Sequence, residues 1–464
     1  MLQTMTFDKG LIRRYDIKAP RYTSYPTARE FTVAFGEQDY REAMRVSNGD
    51  PIPRPLSLYI HIPFCASPCF YCGCLRVITR DCNKAADYLS RLVKEIEMQA
   101  ALVDPDREVQ QVHLGGGTPT FLDDAQLEQL LETLRKHFKM APSDRLECSL
   151  EIDPRTVDGR RLERLVAMGF NRISLGVQDF DPAVQEAINR VQPEALTHDL
   201  LDTGQRLGLS SMNVDLIYGL PRQTLEGFGR TLDKIVEARP SRIALYSYAH
   251  LPDVFKAQKQ IAKHHLVSGE QKLALLELAI GKLKKAGYLF IGMDHFALPD
   301  DELVKAQQND ELHRNFQGYS TQSECEMIGL GISAISNLGA AFSQNSKSLD
   351  EYYAAIDAGR LPIARGVKLS RDDRIRADVI QRIMCDGIVS FADIDAHWGI
   401  RFEEYFADSL LRLTPLLRDG LAILNRRRLV VTGKGRLLLR VIALPFDAYH
   451  GKLIDDSQSF SDVI

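Results

Sequence analysis

The chain has 464 residues, 45% of them hydrophobic and 26% charged, with 58 Lys and Arg against 62 Asp and Glu for a net charge of −4. A balance this close to neutral excludes a chain that binds polyanions through its overall field and leaves only local basic pockets. No run approaches the ~20 apolar residues of a membrane span, and the opening "MLQTMTFDKGLIRRYDIK" lacks an apolar signal core, so a cytoplasmic protein with no membrane and no nucleic-acid partner is expected.

The predicted elements begin at "LSLYIHI", a short apolar, β-branched run that reads as a buried strand. It leads into "HIPFCASPCFYCGC", His61 to Cys74, which holds four of the chain's eight cysteines. In a reducing compartment such a cluster reads as metal or redox ligands before disulfides. A zinc site usually takes two separated Cys pairs, and the ferredoxin C-x2-C-x2-C run differs from the C-x3-C-x2-C spacing of Cys65, Cys69 and Cys72. Three thiolates on one tight loop suit three corners of an iron–sulfur cluster whose fourth iron stays open. The scattered Cys82, Cys148, Cys325 and Cys385 read as small hydrophobes or inert thiols.

Downstream, helical segments such as "KAADYLSRLVKEIEMQAALV", "DAQLEQLLETLRKHFK" and "GRRLERLVAMGF" are interspersed among the strands "VQQVHL", "LECSLEI", "NRISLGV", "SMNVDLIY" and "RIALYSY". Strand–helix alternation predicts parallel βα units, and six strands predict an incomplete (β/α)6 barrel over residues 55–300, preceded by an N-terminal segment, 1–54. Polar or glycine-rich stretches follow the strands, among them "GGGTPT", "DPRT", "QDF" and "GLPRQT", where parallel folds place ligands. Residues 301–464 are expected to form a mostly helical domain, from "DDRIRADVIQRIMCDG", "FEEYFADSLLRLTPLLRDG" and "TGKGRLLLRVIALPFDAY". "LAILNRRRLVVT" is expected to form a hairpin turning at Asn425 and Arg426, giving a winged-helix-like pattern. The near-neutral charge favours a packing role for that domain over DNA binding.

With an aromatic, Tyr71, before its third cysteine, the C-x3-C-x2-C run resembles the signature of radical S-adenosylmethionine (SAM) enzymes. That resemblance implies a 4Fe–4S cluster on Cys65, Cys69 and Cys72 whose open iron chelates SAM. The ordered series "PRYTSYPTA", "LYIHIPFC", "CGC", "GGGTPT", "GVQDF", "VDLIYGLP", "YAHLP", "IGMDHFA", "HRNFQGYSTQ" and "TGKGRLLLR" is similar to the oxygen-independent coproporphyrinogen III oxidases along nearly the whole chain. The resemblance implies conversion of the ring A and B propionates of coproporphyrinogen III to vinyls in heme biosynthesis. It also implies a low-potential electron donor of flavodoxin or ferredoxin type, a monomer, and two SAM molecules per active site. Tyr59, Gly116 and Glu151 match positions that contact the SAM on the cluster; Tyr71, Gly117, Thr118, Gln178, Arg190, Asp215, Ala249 and Ile335 match those of the second SAM. Cys74 is not expected to be a ligand. Arg21 and Arg314 are candidates for the substrate's carboxylates, since Arg binds a carboxylate bidentately. Two readings of other classes are a heme-binding chaperone built on the same cluster and a winged-helix regulator with a sensory cluster.

Overall fold

The structure is a computed structural model and describes residues 4–450. Its two compact units are assembled from interleaved stretches: Glu30–Lys272 with Glu324–Lys368 form the larger, and residues 4–29, Leu273–Ser323 and residues 369–450 form the smaller.

In the larger unit the main strands, apart from three two-residue ones, are β1 (Leu56–Ile62), β2 (Glu108–Gly116), β3 (Glu147–Ile152), β4 (Arg172–Gln178), β5 (Ser211–Tyr218), β6 (Arg242–Ser247), β7 (Glu326–Leu330), β8 (Ile335–Asn337), β9 (Ala341–Asn345) and β10 (Ile363–Lys368). They lie in the order β6-β5-β4-β3-β2-β1-β7-β8-β9-β10. All pairings from β6 to β7 are parallel, and β7 to β10 run as an antiparallel meander. The six strands expected from sequence are β1–β6, each end displaced by at most two residues, and β7 is a seventh parallel strand. β1 is buried at six of its seven positions, the pattern of a parallel strand covered on both faces.

The crossover helices are α1 (Cys82–Ala100), α2 (Asp124–His137), α3 (Gly159–Met168), α4 (Glu194–Arg206) and α5 (Leu225–Ala238). Four begin at an oxygen-bearing cap, Asp81, Asp123, Asp158 and Thr224, whose side chain accepts an otherwise orphaned helical N–H. The register then sets side chains in rows. Glu151 of β3 pairs with Ser174 of β4, and Ser174 with Asn213 of β5, while Gly176 pairs with Asp215.

The expectation of a mostly helical chain beyond residue 300 fails over 324–368, which return to the sheet as β7–β10. These strands have three to six residues, too short for periodicity to declare them, and β7 is buried at every position, so no alternation marks it. Their return closes a buried lock. Glu95 of α1, 0% exposed, accepts hydrogen bonds from Gly331 N (2.7 Å), the Tyr352 hydroxyl (2.7 Å) and Asn345 Nδ2 (2.7 Å). The hydroxyl of Tyr88, on the same helix, donates to His61 O (2.7 Å) and accepts from Ile332 N (3.0 Å). Helix α1 is thus pinned both to the end of β1 and to the β7–β8 turn.

Burial pushes Glu95 from 4.5 up to about 7 against those three hydrogen bonds. A carboxyl raised in the folded state contributes stability that is complete below its unfolded value and is lost as pH rises through the folded one. Glu95→Gln keeps the shape without the charge. Each tenfold difference in proton affinity between the folded and unfolded carboxyl is worth roughly 1.4 kcal/mol. Between pH 5 and pH 8, urea unfolding should therefore show wild type losing about 2–3 kcal/mol relative to the variant. A constant gap between the two proteins would show Glu95 to be ionised throughout.

In the smaller unit, α6 (Arg371–Cys385), β11 (Ile388–Ser390), α7 (Phe391–Trp398), α8 (Ala407–Arg418), β12 (Ala422–Leu424) and β13 (Arg428–Val431) form a helical body with a three-stranded sheet in the order β11-β13-β12. The hairpin lies where the sequence places it. Its turn is centred one residue later, on Arg426 and Arg427, because Asn425 N donates to Arg428 O (3.1 Å) and Asn425 Oδ1 accepts from Arg427 N (2.8 Å). "TGKGRLLLRVIALPFDAY" is helical only in short turns, Arg436–Leu438, Leu439–Ala443 and Leu444–Phe446. Pro445 lacks the N–H a continuing helix needs, and Leu438 through Asp447 are buried on every side, so no amphipathic face develops. The N-terminal motif packs in this unit. Arg440, 2% exposed, donates to the carbonyls of Ala19 and Pro20, and the Tyr22 hydroxyl donates to Asp447 Oδ2 at 3.0 Å. Among the described residues no helix is long and apolar enough to cross a membrane.

Candidate active site

The cysteine run leaves β1 as a loop clipped shut at its base, where Phe64 and Cys65 pair with Val77 and Ile78. Arg76 fills the middle of the loop. Its guanidinium donates to the carbonyls of Cys69 (3.2 Å), Cys72 (2.9 Å) and Cys74 (3.2 Å), tying the loop together from within; the Cys69 carbonyl also accepts from Cys72 N at 3.3 Å. From outside, Asn189 Nδ2 donates to Pro68 O (2.7 Å) and Gln258 Nε2 to Tyr71 O (3.0 Å).

Cys65, Cys69, Cys72 and Cys74 line one side of a cavity of about 450 Å³, within the usual size of a small-molecule site. Cys65 Sγ lies 3.3 Å from Thr118 Oγ1, Cys69 Sγ accepts from Arg190 Nη1 at 3.4 Å, and Cys72 Sγ accepts from Cys74 N at 3.4 Å. Burial pushes the Cys65 thiol up to about 11. The Cys72 thiol is pulled down to about 6, first by a hydrogen bond from the Cys74 side chain, and Cys74 is pushed up in return. Cys74 therefore supports the thiolate of its neighbour.

The glycine run faces the cysteines at the end of β2. A Cβ on Gly115 would lie 2.7 Å from Glu151 Oε1, on Gly116 2.6 Å from the His61 ring, and on Gly117 2.6 Å from Pro63 O. Gly116 also has φ +113°, which disfavours any side chain. Only glycine lets this strand end approach so closely. Glu151 accepts from Gly116 N (3.1 Å), with His113 Nε2 3.3 Å away. Burial works to raise its pKa, yet His113 and the Gly116 N–H outweigh burial and hold it below the usual range. Asp215 goes the other way. Burial and then the charge of Glu151 push it up to about 7, although Asn213 Nδ2 (2.8 Å) and the Ser174 hydroxyl (3.3 Å) donate to it.

Gln178 sits at the centre of a γ-turn of positive φ, +70°, closed by Asp179 N to Val177 O at 2.9 Å. Such turns are rare and strained. Asp179, 0% exposed, holds this one by accepting from Gln223 Nε2 (2.6 Å) and the Thr231 hydroxyl (2.6 Å). The turn brings Gln178 to the cavity, and its Oε1 is buried with no hydrogen-bond partner. Arg190, 6% exposed, donates to Gly176 O (2.6 Å) and Asp153 Oδ2 (3.0 Å), and its Nε is likewise buried and unpartnered.

Of the residues expected from sequence, the three cluster cysteines, Tyr71, Gly116, Gly117, Thr118, Glu151, Gln178, Arg190 and Asp215 all line this cavity. Tyr59, Ala249 and Ile335 are not in its lining. Tyr59 stacks on His113 behind Glu151, with centroids 5.9 Å apart. The Ala249 carbonyl shares the Gln258 amide with Tyr71. Ile335 opens β8. Arg21 and Arg314 lie in the smaller unit, where Arg21 pairs with Asp294. Arg314 is 4% exposed, with its guanidinium 4.9 Å from the Tyr319 ring centroid, so it is not the solvated side chain that a surface loop would carry.

Sequence reasoning passed over Ser174, Asp153 and Arg155, which also line the cavity. Ser174, Gly176 and Gln178 occupy alternate positions of β4, the spacing of one strand face, and that polar alternation was the available signal. Among the described residues no three Cys, His, Asp or Glu side chains converge to hold a single metal ion. Thiols that each ligate a different corner of a cluster need no such common point. The loop of thiols, the glycine cradle and the unpartnered Gln178 and Arg190 atoms fit a cluster with a polar, charged cofactor beside it.

Residues 59–235 match the Radical SAM superfamily model and 369–438 the HemN C-terminal domain. The chain is 46% identical over 464 residues to the oxygen-independent coproporphyrinogen III oxidase of Pseudomonas aeruginosa, covering 100% of both chains. It is 46% identical over 448 residues to that of Escherichia coli K12, covering 97% and 96%. The solved structure of the Escherichia coli coproporphyrinogen III oxidase (HemN), described as a radical SAM enzyme, superposes with a TM-score of 0.91 at 46% identity, covering 96% of this chain and 100% of that one. Enzymes of this superfamily generically use a 4Fe–4S cluster and SAM. The chain belongs to the oxygen-independent coproporphyrinogen III oxidase family of the radical SAM superfamily.

Proposed function

We propose that this protein converts the ring A and B propionates of coproporphyrinogen III to vinyl groups without oxygen, giving protoporphyrinogen IX. The observation that carries this reading is the end-to-end match, at 46% identity, to relatives of that activity. Cys65, Cys69 and Cys72 would hold a 4Fe–4S cluster, which when bound would supply the electron that cleaves SAM to methionine and a 5′-deoxyadenosyl radical. The protein's own work is to bind, aim and exclude water, since radical chemistry belongs to the cofactor. Gly116 and Glu151 would hold the SAM on the cluster, with Tyr59 supporting Glu151 through His113. Gln178, Arg190 and Asp215 would hold a second SAM, the strained turn at Gln178 presenting its amide and Asp215 taking a proton or a hydrogen bond at neutral pH. Ala249 and Ile335 would border that second molecule. A low-potential flavodoxin- or ferredoxin-type protein is the proposed donor, and a cytoplasmic monomer the proposed working state.

Loss of a propionate as vinyl requires one hydrogen atom to leave the β-carbon, carbon dioxide to leave the carboxylate and one electron to pass to an acceptor. The reconstituted protein, incubated anaerobically with SAM and substrate deuterated at the propionate β-carbon, should release carbon dioxide and place deuterium in 5′-deoxyadenosine. Tight heme binding with no turnover would instead identify a heme carrier.

A further inference from the structure

The three cluster thiols have unequal surroundings. Cys65 meets a hydroxyl and Cys72 a backbone N–H, but the Cys69 sulfur accepts from two guanidiniums, Arg190 Nη1 at 3.4 Å and Arg155 Nη2 at 3.7 Å. Both are tethered to one carboxylate. Arg155 donates to Asp153 through Nε (3.0 Å to Oδ1) and Nη2 (2.6 Å to Oδ2), and Arg190 Nη1 donates to Oδ2 at 3.0 Å. Asp153 is side-chain buried, and the two arginines outweigh that burial and keep it ionised. Two cations against one anion leave a net positive charge beside a single sulfur. The "DPRT" stretch after β3 thus supplies the shared carboxylate and one of the two guanidiniums.

We propose that Asp153, Arg155 and Arg190 set the reduction potential of the cluster through Cys69, with Arg155 as a positioning residue that acts on the cluster only through that sulfur. Reduction adds one electron to the cluster, and hydrogen bonds to its sulfurs together with nearby charge fix its potential. A cation and its N–H groups on Cys69 favour the reduced form, so the triad holds the potential above the value a neutral shell would give. This inference rests on the proposed 4Fe–4S cluster.

The test is an EPR-monitored redox titration of anaerobically reconstituted protein without SAM, with iron content measured alongside. Arg155→Met should keep full iron and shift the potential to more negative values, while Arg155→Lys, which retains the charge, should lie closer to wild type. Asp153→Asn removes the anion and should shift the potential in the opposite direction. An unchanged potential in Arg155→Met at full iron, or shifts of the same sign in Arg155→Met and Asp153→Asn, would overturn the inference. So would loss of iron from Arg155→Met, which would make Arg155 a residue of cluster retention. Failure of the wild-type protein to take up a cluster would instead reject the proposed function and is seen before any variant is made.

Discussion

Replacing Cys65, Cys69 or Cys72 by Ser should each abolish the brown chromophore, stoichiometric iron and all vinyl formation, whereas Cys74→Ser should retain the iron. The four thiols share one loop and one cavity wall, but their settings differ. Cys74 is exposed, and its hydrogen bonds run to Cys72 and Arg76 rather than across to the glycine cradle. The serine hydroxyl can still donate to the Cys72 sulfur, so the hydrogen bond that holds that thiol below its ordinary value survives the change. Cluster assembly in Cys74→Ser should then follow the wild-type pH dependence at full stoichiometry, since thiolates are the ligating form. Iron analysis after reconstitution over a pH series checks this. Loss of iron from Cys74→Ser at every pH would make all four cysteines ligands and remove the open iron the activity needs.

Gly117→Ala should be nearly as damaging for a purely steric reason. A Cβ there would lie 2.6 Å from Pro63 O, 2.7 Å from Pro63 C and 2.9 Å from Phe64 O, all backbone atoms just ahead of Cys65. Backbone cannot swing aside as a side-chain tip can. The strand must retreat from the cysteine loop, at a cost of about 1–3 kcal/mol in stability. A shift of about 1 Å between the cradle and the loop should lower activity by roughly 100-fold. Gly281→Ala is the control. Its Cβ would meet nothing within 4 Å inside the helix Gly269–Lys285, and a gain of about 0.5–1 kcal/mol is expected there. Thermal unfolding and anaerobic turnover of both variants measure the contrast. Equal behaviour of the two would show that the cradle tolerates a side chain.

What was legible in the sequence follows the reach of each signal. Six parallel strands show as contiguous apolar runs, and three cysteines and three glycines show as spacing, because those features are local. Nothing local states that Glu326–Leu330 pairs with Leu56–Ile62, since β7 is five buried residues with no alternation. The same holds at the site. Arg155 is visible in "DPRT" after β3, but which sulfur its guanidinium meets depends on the loop of another βα unit. The strain at Gln178 is set by a γ-turn and by Gln223 and Thr231, which lie 44 and 52 residues from Asp179.

The pairing of β1 with β7 also has a consequence for the chain as it is made. β1 finds β2 within about 50 residues, but its other edge waits for Glu326, about 270 residues after Leu56. At roughly 5–20 residues per second of synthesis, that edge stays open for some tens of seconds. The waiting edge is apolar, and the cysteine loop hangs from its end. An unpaired apolar strand is a template for joining another chain. Ribosome-bound intermediates ending between residues 300 and 320 should therefore be the most dependent on chaperones, and release should follow once residues 326–345 have emerged.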